Sequence, residues 1–261
     1  MFPLYLYEPN AESSSGQFGM FSSDPGVSEA SPNLSSEFIS LVELRTGLTF
    51  RSGGLGDLSS TVGPDDILHY LYAVLHSPIY RERYAELLRS DFPRVPVTAD
   101  RKLFVALCQY GADLVALHLL EDAYSAASWM QTAGVAASPL RRDLPRFPVA
   151  GSNLVSEVVY AAPDAIAADL DEAVGKTSSG RVYISGRRGA ADRQYFEGVP
   201  VEAWHFQAGG YRVCEKWLKD RQGRSLTLDD RRHYTRVVAA MRETVRLMTE
   251  IDAAIPSWPL A

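Results

Sequence analysis

Apolar residues recur with the period of a helix near the end of the chain. At about 100° per residue, one face of the segment 228–254 collects apolar and aromatic side chains. They are Tyr234, Val237, Val238, Met241, Val245 and Met248. Thr227 and Asp230 stand at the spacing of a capping box, in which two side chains satisfy free backbone N–H groups at a helix start. The pattern predicts one long helix over 228–254.

Shorter patterns predict the other elements. Helical spacing indicates helices over 36–44, 64–75, 79–89 and 99–120 and short helical segments within 200–206 and 209–223. Thr98 is the expected N-cap of the fourth helix. Apolar runs indicate strands over 1–8, 155–160 and 181–185, with a return strand at 194–196. The predicted fold class is α+β: helix-rich, with a modest mixed sheet from strands near Tyr5, Val158, Val182 and Tyr195 and a long C-terminal helix.

Composition divides the chain into segments. A strand over 1–9 precedes residues 10–36, whose Ser, Gly, Pro and Asn content predicts a flexible linker. A helical subdomain is expected over 37–121 and an irregular, Ala-, Ser- and Pro-rich insertion over 122–152. The remaining part, 153–256, combines strands and helices with most of the basic residues. At 261 residues, the segments can form one large unit with a sizeable core.

Charge is unevenly distributed. The net charge of the chain is −6. Between Arg181 and Arg246, however, 14 Lys and Arg residues face 8 Asp and Glu residues, whereas residues 1–180 hold 12 against 22. A basic C-terminal region is compatible with an anionic partner, since the distribution of charge matters more than its sum.

The cysteines and the hydropathy place the chain in a reducing, aqueous compartment. Cys108 and Cys214 lie in apolar, helix-like surroundings, which favours reduced core residues over a disulfide or a metal site. No run of about 18 apolar residues could span a membrane, and no secretory signal is recognisable at the N-terminus. We therefore expect a cytoplasmic protein without a membrane partner.

Motifs of catalysis are missing. The glycines at 53, 54 and 56 lack the Lys-Ser/Thr ending of a phosphate-binding loop, so a plain loop is expected there. His69 and His76 share a helix face, but no nearby cysteine or carboxylate completes a metal set. The acids and lysine at 164–176 have the wrong spacing for a nuclease. The sequence gives no support to catalysis by this chain alone.

Two basic features are candidates for binding an anion. The first is the stretch 209–223, in which a glycine pair precedes a short helix that combines Trp217 with several cationic residues. The second is an arc of about 120° on the last helix. It holds Arg232, Arg236, Arg242 and Arg246, with Glu243 as the acid well inside it. Either feature could also be a solvated helix face. A nearly unpaired arginine row repels itself, which favours an anionic partner.

Several segments of the chain resemble segments of one known family and occur in the same order as in that family. The segments are Phe2–Tyr7, Pro32–Leu34, Asp66–Pro78, Tyr80–Tyr84, Asp91–Pro96, Gln194–Pro200, Gly209–Gly223 and His233–Tyr234. Together they span nearly the whole chain and resemble the C-terminal specificity region of type I single-polypeptide (type ISP) restriction–modification enzymes. Those bacterial enzymes combine a nuclease, a helicase-like motor, an adenine-N6 methyltransferase and a DNA-reading domain.

The resemblance implies a function. It implies a target-recognition unit that reads double-stranded DNA and positions it for an adenine-N6 methyltransferase, which is the expected protein partner. S-adenosylmethionine and ATP would belong to other portions of such a polypeptide, of which this chain would be a C-terminal piece; no cofactor is expected here. The alternative is a helical docking module that binds a methyltransferase or motor subunit without touching DNA.

Charge and position, not the resemblance, select the residues that would contact DNA. Six basic residues are expected to bind phosphates and fix the register on the duplex: Arg94, Arg212, Lys216, Lys219, Arg232 and Arg236. Three residues are expected to read base edges: Arg187, Arg188 and Tyr195. Arg94 is singled out because the prolines at 93 and 96 brace its loop.

Overall fold

The computed structural model describes residues 3–7, 30–121, 144–148, 150–169, 179–186 and 193–260. About half of these residues are helical and the strands form small sheets, so the predicted α+β class is confirmed. The chain divides into two units. Unit 1 comprises Met1–Ala112 and Ile251–Ala261, and unit 2 comprises Asp113–Glu250.

Unit 1 contains short strand pairs and most of the shorter helices. Its strands are β1 (Tyr5–Tyr7), β2 (Ala30–Pro32), β3 (Thr49–Phe50) and β4 (Thr61–Val62). Its helices are α1 (Ser36–Thr46), α2 (Pro64–His76), α3 (Pro78–Arg83), α4 (Ala85–Ser90) and the first part of α5 (Arg101–His118). Strands β1 and β2 pair antiparallel, and β3 and β4 pair parallel.

The crossing of α2 and α5 forms the core of unit 1. The rings of Tyr70 and Phe104 stack with centroids 4.7 Å apart, and both residues are buried. Gly111 allows the two backbones to approach, because a Cβ at that position would lie 1.8 Å from the carbonyl oxygen of His69. The glycine is therefore required by space rather than by backbone conformation.

The structure corrects the prediction most clearly at a break in one helix and at the N-cap of another. The helix expected over 79–89 is broken at Tyr84, where α3 ends and α4 begins. The N-cap of α5 is Asp100 rather than Thr98: its Oδ1 accepts hydrogen bonds from the backbone N–H groups of Lys102 and Leu103, at 2.8 and 3.2 Å. Asp100 is adjacent to the first helical residue, which is the position from which a side chain can reach those donors.

Unit 2 is built on a three-stranded antiparallel sheet. Its strands are β5 (Val159–Ala161), β6 (Gly180–Ser185) and β7 (Gln194–Val199), in that order. Val182, Ile184 and Phe196 are fully buried on one face. The strand at Tyr5 was expected to join this sheet, and that expectation is wrong: Tyr5 pairs with Pro32 in unit 1.

Helices and one small hairpin complete unit 2. They are α6 (Pro163–Asp169), α7 (Val201–His205), β8 (Gln207–Ala208), β9 (Tyr211–Arg212), α8 (Val213–Lys219) and most of α9 (Leu228–Ala254). The bounds of α9 are the predicted ones, and the capping box is confirmed. Asp230 Oδ2 accepts from the Thr227 N–H at 3.0 Å, and Thr227 Oγ1 accepts from the Asp230 N–H at 3.0 Å.

The apolar face of α9 follows the prediction in its first half. Tyr234, Val237, Val238 and Met241 are buried. Farther along, Leu247 and Ile251 are buried, while Val245 and Met248 are only half-buried. Thr244 is also buried, and its hydroxyl lies 3.0 Å from His118 Nε2.

Candidate nucleic-acid interface

A β-hairpin with a two-residue turn precedes α8. Ala208 pairs with Tyr211 and Gln207 pairs with Arg212, so Gly209 and Gly210 form the turn. Their φ angles are +59° and +83°. Positive φ at both turn positions is the signature of a type I′ turn, whose twist matches that of the flanking strands. The glycine pair thus produces a tight hairpin whose residues 207–211 are all exposed.

The exposed face of α8 carries cations that are held by local acids. Glu215 contacts Lys219 at 2.7 Å and Arg212 at 3.7 Å, and Asp220 contacts Lys216 at 2.8 Å. Exposed pairs at these helical spacings contribute only about 0.3–0.5 kcal/mol each. The cations are therefore oriented but weakly held, and a phosphate could replace an acid as their partner.

An open cavity of about 410 Å³ is lined by residues of the hairpin and of α8. Tyr211 is one of the lining residues, with 63% of its surface exposed. The ammonium group of Lys216 lies 5.6 Å from the Tyr211 ring centroid, within the range of a cation–π contact. The sequence prediction did not include Tyr211 and Gln207, which line this cavity. The available signal was their position beside a Gly-Gly pair, which is a common type I′ turn sequence.

The other side of α8 packs into unit 2. Cys214 and Leu218 are buried, and Trp217 is half-buried. Its ring centroid lies 5.1 Å from that of Tyr234 on α9. Arg221 stacks on Trp217 rather than facing solvent, and its Nε lies 3.4 Å from Asp230. This contact network fixes α8 against the start of α9.

The arginine row on α9 is paired, so the expectation of a nearly unpaired row is wrong. Glu243 contacts Arg242 at 3.1 Å and Arg246 at 2.8 Å, and Arg246 also contacts Glu250. Glu243 reaches Arg246 because residues three positions apart on a helix are neighbours, and its other carboxylate oxygen contacts the adjacent Arg242. The local repulsion that favoured an anionic partner for this row is therefore removed.

The two α9 arginines predicted to bind phosphate differ in exposure. The side chain of Arg232 is 70% exposed and lies 3.7 Å from Asp229. The guanidinium of Arg236 is half-buried and donates to the carbonyl oxygen of Leu120. Arg236 therefore has a structural contact within unit 2, whereas Arg232 is accessible to a ligand. Contact of either residue with DNA stays a prediction.

Tyr195 lies in a cluster of two tyrosine rings and two arginines at β6 and β7. The guanidinium of Arg181 is 4.6 Å from the Tyr195 ring centroid and bonds Glu197 across the strands at 2.6 Å. Arg193 stacks on Tyr183 at 3.5 Å. Tyr195 is consequently half-buried and held by its neighbours. Arg187 and Arg188, its predicted partners in base reading, lie outside the described residues.

Arg94 belongs to unit 1, on a loop that two tyrosine hydroxyls anchor. Tyr80 donates to the Arg94 carbonyl at 3.1 Å, and Tyr70 donates to the Pro96 carbonyl at 2.7 Å. The Arg94 side chain is 89% exposed and lies 3.4 Å from Asp91. These two tyrosines thus pack in the protein, and they hold the backbone from which Arg94 projects.

Titratable groups near α8 keep the charges expected at neutral pH. Hydrogen bonds from Thr227 lower the pKa of Asp230, and Arg221 adds to this effect. Desolvation lowers the pKa of His233, and the charges of Arg221 and Arg236 lower it further. Burial raises the pKa of the Cys214 thiol to about 12. In unit 2, α8 therefore meets α9 through an anionic Asp230 and a neutral His233.

One buried carboxyl lies elsewhere in unit 2. Asp113 on α5 is buried, and its Oδ2 accepts no hydrogen bond. Desolvation raises its pKa to about 7, against the opposing effect of Arg246, while Glu250 raises it further. Asp113 is therefore partly protonated at neutral pH.

A cluster of metal-ligating residues and a membrane-spanning helix are both lacking in the part of the chain that the structure describes. His, Cys, Asp and Glu residues there form no group of three that could hold a metal ion. Cys108 and Cys214 are free and buried, as expected. Among the described helices, none is both long enough and apolar enough to cross a bilayer.

A comparison with models of protein families identifies the family of the chain. The family model of the Type ISP C-terminal specificity domain matches residues 1–250. The chain therefore belongs to this family, and the resemblance inferred from the sequence is confirmed. No curated protein matches the chain.

Solved structures share the fold. The chain is similar to part of the DrdV–DNA complex determined by cryo-EM, with 20% identity over 95% of this chain and 21% of that chain, at a TM-score of 0.53. It is also similar to part of the ATP-dependent Type ISP restriction-modification enzyme LlaBIII bound to DNA, with 14% identity over 99% of this chain and 14% of that chain, at a TM-score of 0.54. The chain spans only about a fifth and a seventh of those proteins.

Proposed function

We propose that this chain recognises a specific sequence in double-stranded DNA and positions that DNA for an adenine-N6 methyltransferase of the same restriction–modification system. The match to a specificity-domain family over residues 1–250 carries the proposal. Two further points support it: the structures that share the fold are named as DNA complexes, and the hairpin with α8 forms an exposed cationic surface.

The proposed interface in unit 2 consists of the hairpin Gln207–Arg212 and the exposed face of α8. Arg212, Lys216 and Lys219 would bind phosphates, because each is accessible and its ion-pair partner is an acid close by in sequence. Arg232 would add a further phosphate contact, since its side chain is 70% exposed and its partner Asp229 is itself a surface acid. Such contacts fix position and register without reading sequence.

The structure supports the remaining predicted DNA contacts to different extents. Arg94 is suited to a phosphate or to a guanine edge, because its backbone is held by a hydrogen bond while its side chain is 89% exposed. Arg236 is a weaker candidate, because its guanidinium already bonds a backbone carbonyl. Tyr195, stacked under Arg181, is better placed to support the sheet than to read a base.

The methyltransferase is proposed on the basis of the family alone. A domain that selects a sequence but lacks catalytic motifs needs an attached or associated enzyme for its selection to have a chemical effect. The chemistry of S-adenosylmethionine and ATP would take place in that partner.

A docking module that does not touch DNA is the second candidate. Its support is an apolar groove in unit 1 of about 460 Å³, which includes Tyr84, Leu87 and Phe92 in its lining. Leu87 and Phe92 are strongly exposed. Exposed apolar side chains of this kind are typical of protein-binding surfaces.

The test is selection from a random pool of duplex DNA by the purified 261-residue chain, followed by a salt titration of the selected duplex. We expect an enriched motif and an affinity that falls steeply as salt rises, since each neutralised phosphate releases counterions. A folded chain that enriches no motif and does not bind duplex DNA at low salt would contradict DNA recognition by this chain. Binding of a methyltransferase from the same system would then favour the docking module.

A further inference from the structure

The hairpin Gln207–Arg212 has two chemically different faces. Residues directly opposite each other in an antiparallel pair point to the same side. Gln207 and Arg212 therefore share one face, and Ala208 and Tyr211 share the other. One face carries a carboxamide beside a guanidinium, and the second carries an aromatic ring beside a methyl group.

The size and exposure of the hairpin fit a DNA groove. A two-stranded ribbon can enter the major groove of B-DNA, which is about 12 Å wide. The tip is formed by Gly209 and Gly210, which have no side chains and leave open space where a Cβ would be. Because the turn is narrow and its residues are exposed, its strands can approach base edges closely.

The surroundings of the hairpin supply charges that fit the rim of a groove. Lys216 and Lys219 lie on α8, which follows the hairpin directly and lines the same cavity. The segment Gln207–Arg221 contains four cationic residues and two acidic residues. Phosphates line both edges of a groove, so this arrangement would hold the ribbon between the two backbones.

Gln207 has the chemistry of a base reader. Its carboxamide offers both a donor and an acceptor, and glutamine can bond the N6 amino group and N7 of adenine at once. No hydrogen bond within the described part of the protein engages the Gln207 side chain, whereas the Gln222 amide donates to the Ser156 carbonyl at 3.2 Å. The exposed carboxamide can distinguish one base pair from another, whereas the neighbouring cations, which would bind phosphates, cannot.

We infer that Gln207 is a specificity-determining residue: the Gln207–Arg212 hairpin enters the major groove and the Gln207 carboxamide reads an adenine. This inference rests on the proposed function, because it assigns one base contact within the proposed DNA interface. Arg212, on the same face, holds the adjacent phosphate.

The experiment compares the motifs enriched by the unmodified chain and by its Gln207→Ala and Gln222→Ala variants. Both substitutions remove an exposed glutamine of unit 2, and circular dichroism and urea unfolding check that each variant is folded. We expect Gln207→Ala to relax one adenine position, where discrimination against other bases falls from roughly 5- to 100-fold to near unity. The other positions of the motif should be retained, and Gln222→Ala should leave every position unchanged.

A modified probe identifies the groove contact. Replacing the adenine at the relaxed position with 7-deazaadenine removes the N7 acceptor and leaves Watson–Crick pairing intact. The unmodified chain should lose affinity for this probe roughly tenfold or more, while Gln207→Ala should bind both probes equally.

The possible failures are distinguishable. If the unmodified chain enriches no motif, DNA recognition itself fails, and the assignment of Gln207 fails with it. If the unmodified chain enriches a motif and Gln207→Ala retains every position, the assignment is overturned while DNA recognition stands. If Gln207→Ala weakens binding equally to all sequences, Gln207 contacts only the backbone, and the assignment is again overturned.

Discussion

The guanidinium carbon of Arg221 lies 3.5 Å from the ring centroid of Trp217. The same guanidinium donates to the Trp217 carbonyl at 3.1 Å and lies 3.4 Å from the Asp230 carboxylate. Asp230 is also the acid of the capping box of α9. Arg221 therefore links the end of α8 to the start of α9 and holds the cationic helix in place.

Removing this link should destabilise unit 2. Arg221→Ala loses the cation–π contact and the contact with Asp230, and we expect the free energy of unfolding to fall by about 1–2 kcal/mol. Arg221→Lys should recover only part of that loss, because an ammonium group lacks the planar surface that stacks on Trp217. Urea unfolding measures both values. Equal stability of Arg221→Lys and the unmodified chain would show that charge alone matters.

Asp113 should make stability depend on pH. Its pKa in the folded protein is raised to about 7, whereas an unfolded Asp titrates near 3.9. The folded state therefore retains a proton that the unfolded state loses. The stability contributed by Asp113 is fully present below about pH 4 and is lost as the pH rises through about 7.

The neutral isostere Asp113→Asn isolates this effect. Its advantage over the unmodified chain should grow between pH 4 and 8, by on the order of 3–4 kcal/mol in the free energy of unfolding. Other titrating groups cancel in the comparison, because both proteins share them. A variant that is less stable than the unmodified chain at pH 8 would mean that Arg246 stabilises an ionised Asp113.

The crossing of α2 and α5 should not accept a methyl group at position 111. In Gly111→Ala the new Cβ would lie 1.8 Å from the His69 carbonyl oxygen, so the helices must separate. We expect a loss of about 3 kcal/mol or more in the free energy of unfolding. Gly53→Ala is the control, since its Cβ would meet no atom within 4 Å. Urea unfolding should separate the two variants clearly, and a similar small effect of both would contradict the close approach.

The hairpin turn should tolerate residues according to backbone conformation rather than size. Gly209 has φ +59° and open space around it. Gly209→Asn should stay within about 0.5 kcal/mol of the unmodified chain, because Asn-Gly favours a type I′ turn. Gly209→Val should cost about 1–2 kcal/mol, since a β-branched residue is strained at positive φ. Thermal or urea unfolding can measure the difference, and equal costs would argue against the type I′ turn.

The lysines of α8 should contribute to the salt dependence of DNA binding. If Lys216 and Lys219 each neutralise one phosphate, replacing either by Ala should reduce the slope of log K against log salt by about 0.9. The selected motif should stay the same, because phosphate contacts carry no sequence information. Lys102→Ala, which removes an exposed lysine of unit 1, is the control. Unchanged slopes in both α8 variants would exclude these lysines from the interface.

Local signals made parts of the fold predictable. The bounds of α9 follow from a long periodic pattern and from a capping box within four residues. The pairing of Arg246 with Glu243 and Glu250 was also readable from helical spacing, although charge counting along the arc overlooked it. These features depend on residues close in sequence, so no knowledge of the tertiary fold is needed.

Other features depend on contacts between distant residues. The pairing of Tyr5 with Pro32, rather than with the sheet of unit 2, is decided by which strands meet in space. The stacking of Arg181 on Tyr195 requires the register of β6 and β7. The strands of the Gln207–Arg212 hairpin are two residues long, too short for any periodicity. Its importance follows only from its exposure and its position beside α8.

The acids that hold Lys216 and Lys219 have a consequence for how the chain would search DNA. Each lysine that takes a phosphate gives up a carboxylate at 2.7–2.8 Å, so one ion pair replaces another and the net gain is small. Such a surface would bind non-specific duplex DNA weakly and dissociate from it quickly. The residence time on a given DNA site would then be set by contacts with the bases and not by contacts with the phosphate backbone. A protein that binds non-specific DNA weakly can therefore sample many sites before it binds its target sequence.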